Sequence, residues 1–226
     1  MHFVHHRIEA APRTWAALAE RLAKTKLDGG TVYGVWRSQI GRPRDELQAM
    51  TLWPRETGAA VAEKALLGGA ADVHRVCSQA LVPTLRPTDT TAPTRQGNYA
   101  FRWFATPEPN WPEFLDLCTS AWPGFEAAYD SQVIGLWQAT GDRTGPGGEM
   151  GGDEATGAGL QGGVRSLLMT RRPNLAMWER SKLPSGAAES EVRDKLSRRY
   201  DLCDWTVVST STLLTATDAQ DTARWT

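Results

Sequence analysis

A histidine near the start of the chain and an arginine near its middle are the residues best suited to chemistry. His6 lies between the apolar residues Val4 and Ile8 in an alternating segment. An imidazole that stays neutral in an apolar cavity can act as a general base near pH 7. Arg102 could stabilise the enolate or phenolate that forms when a proton leaves a C–H or O–H group. If the fold brings the two together, they form a catalytic pair for proton abstraction.

Other kinds of catalytic site have little support. His2 and His6 would lie about 13 Å apart on one strand face, too far to bind one metal, so we expect no metal site. The three cysteines form no Cys-x-x-Cys motif. The sequence also lacks a Gly-x-Ser-x-Gly nucleophile motif and a dinucleotide-binding Gly-x-Gly-x-x-Gly motif. Acid/base chemistry without a cofactor is the first expectation, and haem binding stays open.

Composition narrows the class of partner. Among 226 residues the net charge is −1, and no basic stripe suggests a nucleic acid. No apolar run reaches the roughly 18–20 residues that span a bilayer, so we expect no membrane partner. The first residues lack the apolar core of a signal peptide, which favours a cytoplasmic protein. Ten tryptophans suggest a large aromatic core or an aromatic pocket for a small hydrophobic molecule.

An internal repeat organises the chain. The motif Val-x-Gly-x-Trp occurs at residues 32–36 and again at 133–137. A second match aligns residues 3–10 with residues 99–106. The order of the two matches is the same in both halves, which indicates a duplication.

Each half reads as β-α-β-β-α-β. We place the first repeat at 1–87, a polar linker at 88–97, the second repeat at 98–217 and a tail at 218–226. The predicted strands are 2–10, 31–40, 46–53 and 78–86, then 98–106, 131–140, 163–171 and 206–215. The predicted helices are 13–27, 57–76, one opening at 110–113, and 174–200 with a break at 183–186. A glycine-rich insertion at 141–163 is either disordered or a mobile lid.

This order of elements is that of the ferredoxin-like fold, whose antiparallel sheet carries helices on one face only. Two such sheets can pack their bare faces together. We therefore expect an α+β protein whose two repeats form a closed, eight-stranded barrel around a central cavity. Because one chain closes such a barrel, either a monomer or a homo-oligomer is compatible with the sequence.

Certain residues resemble a known family. The run from Gly34 and Trp36 through Ile40-Gly41 to Glu46–Trp53, followed by Arg55, is similar to NIPSNAP-type members of the dimeric α+β barrel superfamily. Arg171, Arg172 and Trp178 stand in the second half. The resemblance implies that the inner face of the first strand carries Val4, His6 and Ile8, and that of the equivalent strand carries Ala100, Arg102 and Phe104. We expect four aromatic side chains to bind substrate: Trp36, Trp53, Phe104 and Trp137.

The resemblance leaves three functions open. The first is a bacterial, secondary-metabolic enzyme that oxygenates, cyclises or isomerises an aromatic or polyketide-like molecule without a cofactor. The second is a NIPSNAP-like barrel that binds a ligand or a protein without catalysis. The third is a haem-binding or haem-degrading barrel, since some members of the superfamily bind haem through a histidine.

Overall fold

A computed structural model describes residues 1–145 and 163–218. The first repeat contains β1 (His2–Ala10), α1 (Trp15–Lys24), β2 (Thr31–Ile40), β3 (Glu46–Trp53), α2 (Ala59–Leu67) and β4 (Val73–Arg86). The second contains β5 (Asn98–Pro107), a 3-10 turn (Glu108–Asn110), α3 (Trp111–Tyr129), β6 (Gln132–Arg143), β7 (Gly163–Arg172), α4 (Leu175–Arg180), α5 (Ala187–Asp201) and β8 (Trp205–Leu213). Most of the predicted insertion and all but the first residue of the predicted tail lie outside the described residues.

The eight strands form one closed antiparallel barrel in the order β1-β3-β2-β8-β5-β7-β6-β4. Within each repeat the order is that of a ferredoxin-like sheet. The seams β2–β8 and β4–β6 join the two sheets. The predicted architecture, with two repeats closing one barrel within the chain, is confirmed. None of the described helices is long and apolar enough to cross a membrane.

Glycine and asparagine residues set the ends of two helices. The predicted helix 57–76 ends after Leu67, because Gly68 and Gly69 adopt positive φ angles of 57° and 76°. Strand β4 therefore begins at Val73, five residues earlier than expected. The predicted break at 183–186 is confirmed, since α4 ends at Arg180 and α5 begins at Ala187. The side chain of Asn174 accepts a hydrogen bond from the Met177 amide at 2.9 Å and so caps α4.

Aromatic side chains fill the inside of the barrel. Trp36 and Trp137 are fully buried there, and each belongs to one copy of the Val-x-Gly-x-Trp motif. In both copies the strand register shifts just before the glycine. A Cβ added at Gly34 or Gly135 would overlap the indole ring two residues later. The repeated motif thus lays an indole across a glycine on each side of the barrel interior.

The facing that the family resemblance implied for the first strand of each repeat is wrong. Phe3 and His5 point into the barrel, where His5 stacks on Phe101 of the opposite sheet at 5.5 Å. Ile8 instead packs against α1, and Phe104 packs against α3. By strand alternation, His6 and Arg102 also face the helix layers of their own repeats. Both faces of these strands are apolar, so hydrophobic pattern alone could not orient them.

Candidate functional site

A cavity of about 250 Å³ lies between the sheet of the second repeat and its helices. We call it the second-repeat cavity. Strands β5, β7 and β8 form its floor, while α3, α4 and α5 cover it. The lining residues are Ala100, Arg102, Trp122, Phe125, Val133, Leu168, Thr170, Arg172, Trp178, Ser181, Lys182, Arg193, Leu196, Arg199, Tyr200 and Thr206. Both sheet and helices therefore contribute side chains to one cavity that is partly open to solvent.

Positive charge dominates this cavity. Its described lining holds four arginines and one lysine but no aspartate or glutamate. Arg199 is only 3% exposed. Its Nη1 contacts Cys118 Sγ at 3.5 Å, and its Nε has no acceptor among the described residues. Buried guanidinium groups without carboxylate partners make the cavity a strong environment for an anion.

Tyr200 is the acidic group among these cations. It lies on α5, with its ring stacked on Phe104 at 6.1 Å and with the Arg102 guanidinium 5.2 Å from the ring centre. Burial alone would raise the pKa of Tyr200, but Arg199 and Arg102 more than offset burial and hold this pKa below its ordinary value. Arg199 shows the reciprocal effect. Burial lowers the pKa of Arg199, yet Cys118 and Tyr200 leave it above its usual value. The neighbouring cations thus stabilise the ionised form of Tyr200 by more than burial destabilises it.

Aromatic rings form the remaining wall. The Arg172 guanidinium lies 4.6 Å from the ring centre of Trp178 and 5.0 Å from that of Phe125. Burial lowers the pKa of Arg172 to about 10, and the neighbouring cations Arg102 and Arg199 act in the same direction. Flat apolar surfaces and cations together suit an aromatic molecule that carries, or develops, negative charge.

Comparisons with known proteins identify the fold alone. No family model matches the chain, and no curated protein matches it either. An anthrone oxidase-like protein superimposes with a TM-score of 0.59 at 10% identity, over 94% of this chain and 91% of that one. A provisionally named monooxygenase from Lactobacillus acidophilus gives a TM-score of 0.54 at 8% identity, over 94% and 93% of the two chains. Chlorite dismutase from Candidatus Nitrospira defluvii gives 0.53 at 8% identity, over 94% and 90%.

The chain has a closed, eight-stranded antiparallel α+β barrel fold, and it shares this fold with the proteins just named. Here the two ferredoxin-like units of that barrel are the two repeats of a single chain. The second-repeat cavity lies outside the barrel, under the helices of one unit, and not in the central space where the sequence analysis expected the site.

Within this barrel fold, the predicted pair His6 and Arg102 is not brought together. His6 is fully buried in the first repeat, with Nδ1 2.8 Å from Ser78 Oγ and Nε2 3.1 Å from Thr51 Oγ1. Burial lowers the pKa of His6 to about 3, so the ring is neutral at pH 7. Arg102 lines the second-repeat cavity, where its Nη1 is 3.5 Å from Thr206 Oγ1. The expectation that the two share one cavity is wrong.

The four predicted aromatic residues are divided among three places. Trp36 and Trp137 belong to the packed interior of the barrel. Trp53 faces α2 and donates from Nε1 to Thr51 Oγ1 at 2.9 Å. Phe104 contacts two lining residues of the second-repeat cavity without lining it. Its ring stacks on Tyr200, and its ring centre is 5.0 Å from the Arg199 guanidinium. None of the four is among the lining residues.

Sequence reasoning missed Tyr200 and Arg199 and gave Arg172 no role. The helix α5 that carries the first two is strongly charged, and it reads as a solvated surface helix. One signal was available, because Arg193, Leu196 and Tyr200 recur at the i, i+3, i+7 spacing of a single helix face. A buried face that mixes arginines with apolar residues is unusual and indicates a site.

The donor set of the cavity does not fit a histidine-bound haem. None of the four histidines lines it, and both ring nitrogens of His6 are already hydrogen-bonded to protein hydroxyl groups. Residues 1–145 and 163–218 also contain no group of three or more potential ligands, of the His, Cys, Asp or Glu type, placed to hold a metal ion.

Proposed function

We propose that the protein is a small-molecule enzyme that performs cofactor-independent acid/base chemistry on a compact aromatic substrate in the second-repeat cavity. The observation that carries this proposal is the Tyr200 phenol, whose pKa is lowered by arginines inside an aromatic cavity. A titratable group whose pKa is shifted by specific charged neighbours inside a cavity is a functional-site candidate, and a lowered pKa makes a phenolate base more accessible. The cavity volume of about 250 Å³ lies below the usual range of about 300–1,000 Å³, which favours a compact molecule.

The first chemical step is a proton transfer. The Tyr200 phenolate takes a proton from an acidic C–H or O–H group, which yields the neutral phenol and a substrate enolate or phenolate. The guanidinium groups of Arg102 and Arg199 lie 5.2 Å and 5.4 Å from the centre of the Tyr200 ring. The negative charge therefore stays close to both cations when it passes from the phenolate to the substrate. The cations thus stabilise the transition state with little reorganisation.

The fate of the anion determines the overall reaction. Return of the proton to another carbon is an isomerisation, and attack on an internal carbonyl is a cyclisation. In an oxygenation, O₂ accepts the electrons of a CH₂ carbanion, one oxygen becomes the new carbonyl and the other leaves as water. The names of the anthrone oxidase-like protein and of the monooxygenase support oxygenation as the first reaction to test.

The decisive variant is Tyr200→Phe, which removes the phenolic oxygen but keeps the ring that stacks on Phe104. With anthrone as the probe, we expect turnover to anthraquinone to fall about 10²- to 10⁴-fold in kcat, with binding largely retained. Absorbance reports the conversion, and exchange of the acidic C–H protons in anaerobic D₂O, followed by NMR, reports the proton step by itself. Arg55→Gln, on an exposed side chain, is the matched control.

The other two functions predict different outcomes. A NIPSNAP-like binder without catalysis would bind the probe but show neither oxidation nor proton exchange in the unmodified protein; the side-chain-filled barrel interior is what supports this alternative. A haem protein would develop a Soret band when titrated with haemin. We propose further that the enzyme acts in the bacterial cytoplasm, in secondary metabolism, as a monomer or homo-oligomer.

A further inference from the structure

We infer that the substrate of the second-repeat cavity is an aromatic carboxylate, and that Arg172 is the residue that binds its carboxylate group. The inference rests on the proposed function, because it assigns the substrate class for the same cavity. It goes further, because proton abstraction by Tyr200 requires no permanent charge on the substrate.

The charge balance of the cavity is the first argument. Its described lining holds four arginines, one lysine and no carboxylate. Lys182 is exposed and pairs with Glu179 at 2.7 Å, outside the lining, so the uncompensated charge lies on the arginines. Arg102, Arg172 and Arg199 form no ion pair with an acidic side chain among the described residues. Desolvated cations without a counter-charge destabilise a fold, and a bound anion compensates them.

The geometry of Arg172 is the second argument. Its Nη1 donates to Thr170 Oγ1 at 3.1 Å, while its buried Nε has no acceptor among the described residues. One planar edge of the guanidinium therefore remains without a partner, and two parallel hydrogen bonds from such an edge match a carboxylate. The rings of Trp178 and Phe125 lie beside this guanidinium and would contact the aromatic body of the same ligand.

The repeat supplies the third argument. In β1–β3, His2 pairs with Trp53, and in β5–β7, Asn98 pairs with Arg172, so Trp53 and Arg172 occupy equivalent positions. Trp53 donates to Thr51 just as Arg172 donates to Thr170. A neutral indole therefore fulfils the structural role of this position. The fold therefore does not require the charge or the free guanidinium edge of Arg172, and we assign both to ligand binding.

Calorimetric titration with two nearly isosteric probes tests the inference. We expect 2-naphthoate to bind the unmodified protein about 10- to 100-fold more tightly than the uncharged 2-naphthamide, as expected for charge-assisted hydrogen bonds. Arg172→Met should abolish this preference by weakening naphthoate alone. Arg55→Gln should leave both affinities unchanged.

Equal affinity for the two probes, or an unchanged preference in Arg172→Met, would overturn the inference. If Arg172→Met fails to fold, Arg172→Lys provides the test, because it keeps the charge but loses the planar edge and should retain only part of the preference. Neither measurement requires turnover. Turnover of anthrone with no preference for naphthoate would reject the inference and leave the proposed function intact, whereas preference without turnover of any probe would do the reverse.

Discussion

The helix-facing surfaces of the two sheets carry different kinds of side chain at equivalent positions. In the first repeat, His6 pairs with Ala49 and Ser78; in the second, Arg102 occupies the position of His6 and pairs with Leu168 and Val208. The first surface carries neutral polar groups that hydrogen-bond to one another and to Glu63 of α2. The second surface carries arginines that form no ion pair with an acidic side chain among the described residues. Duplication has preserved the scaffold and has left the candidate chemistry in one copy.

A continuous hydrogen-bond network closes the first surface. Ser78 donates to Glu63 at 2.7 Å and contacts His6 Nδ1, and the other ring nitrogen reaches Thr51, which also accepts from Trp53. The short helix α2 packs directly on this surface through Ala59 and Ala62. Small side chains bring the helix close, so little space remains beneath it.

Longer and additional helices hold the second surface open. Helix α5 has 15 residues where α2 has nine, and α4 adds Trp178 at the edge of the cavity. Large side chains, including Trp122 and Phe125 of α3, separate the helix layer from the sheet. The comparison teaches that helix length and side-chain size decide which of two similar sheets carries a cavity.

Exchanging Trp53 and Arg172, which occupy equivalent positions in the two repeats, should have the largest effect on the free energy of unfolding. Trp53 is 5% exposed, and Trp53→Arg would place an unpaired cation beneath α2. We expect the free energy of unfolding to fall by about 3–5 kcal/mol. Arg172→Trp should be neutral or stabilising by about 1–4 kcal/mol while it abolishes ligand binding, because it replaces an unpaired cation with an apolar side chain.

Chemical denaturation of both variants measures this difference. Trp53→Phe is the control for the first repeat, because it loses the indole N–H but introduces no charge. A stable Trp53→Arg protein would mean that the first surface also accommodates cations. The distinction between the two surfaces would then fail.

The repeat was the most informative feature of the sequence. Both copies of Val-x-Gly-x-Trp lie at equivalent places in the barrel, and the alternation of β-branched residues located every strand. Closure of the barrel followed from a simple physical requirement, since each ferredoxin-like sheet must cover its bare face. Fold class and topology were therefore predictable without a structure.

The site was less predictable because it depends on which way a strand faces. His5 and His6 are adjacent, and a shift of one residue exchanges the barrel interior for the helix layer. Arg102 was chosen as a catalytic residue of the barrel interior, but it lines the second-repeat cavity instead. Tyr200 lies 98 positions further along the chain, and only the packing of α5 on β5 brings it beside Arg102.

The two motif glycines should respond alike, which tests the equivalence of the repeats inside the barrel. In Gly34→Ala and in Gly135→Ala the added methyl group overlaps Trp36 and Trp137, respectively. We expect each substitution to cost about 1–3 kcal/mol, with similar values, because overpacking displaces a large buried ring. Thermal unfolding of both variants measures the costs. Gly141→Ala is the control, because nothing lies within 4 Å of the added methyl group. Gly29→Ala is unsuitable as a control, because alanine is strained at its φ of 74°. A cost confined to one repeat would contradict the structural equivalence of the motif.

Acid sensitivity should belong to the first repeat and the barrel interior, where the buried histidines lie. Burial lowers the pKa of both His5 and His6 from 6.5 to about 3. Between these values the unfolded chain binds more protons than the folded one, so stability is complete above pH 6.5 and falls as the pH decreases toward 3. The slope approaches about 1.4 kcal/mol per pH unit for each histidine.

We expect His6→Gln to remove about half of this slope between pH 6.5 and 5, while His74→Gln, at an exposed position, leaves it unchanged. Because His6 lies outside the second-repeat cavity, His6→Gln should also retain turnover. An unchanged slope together with lost turnover would return the role of base to His6 and reverse the comparison between the repeats.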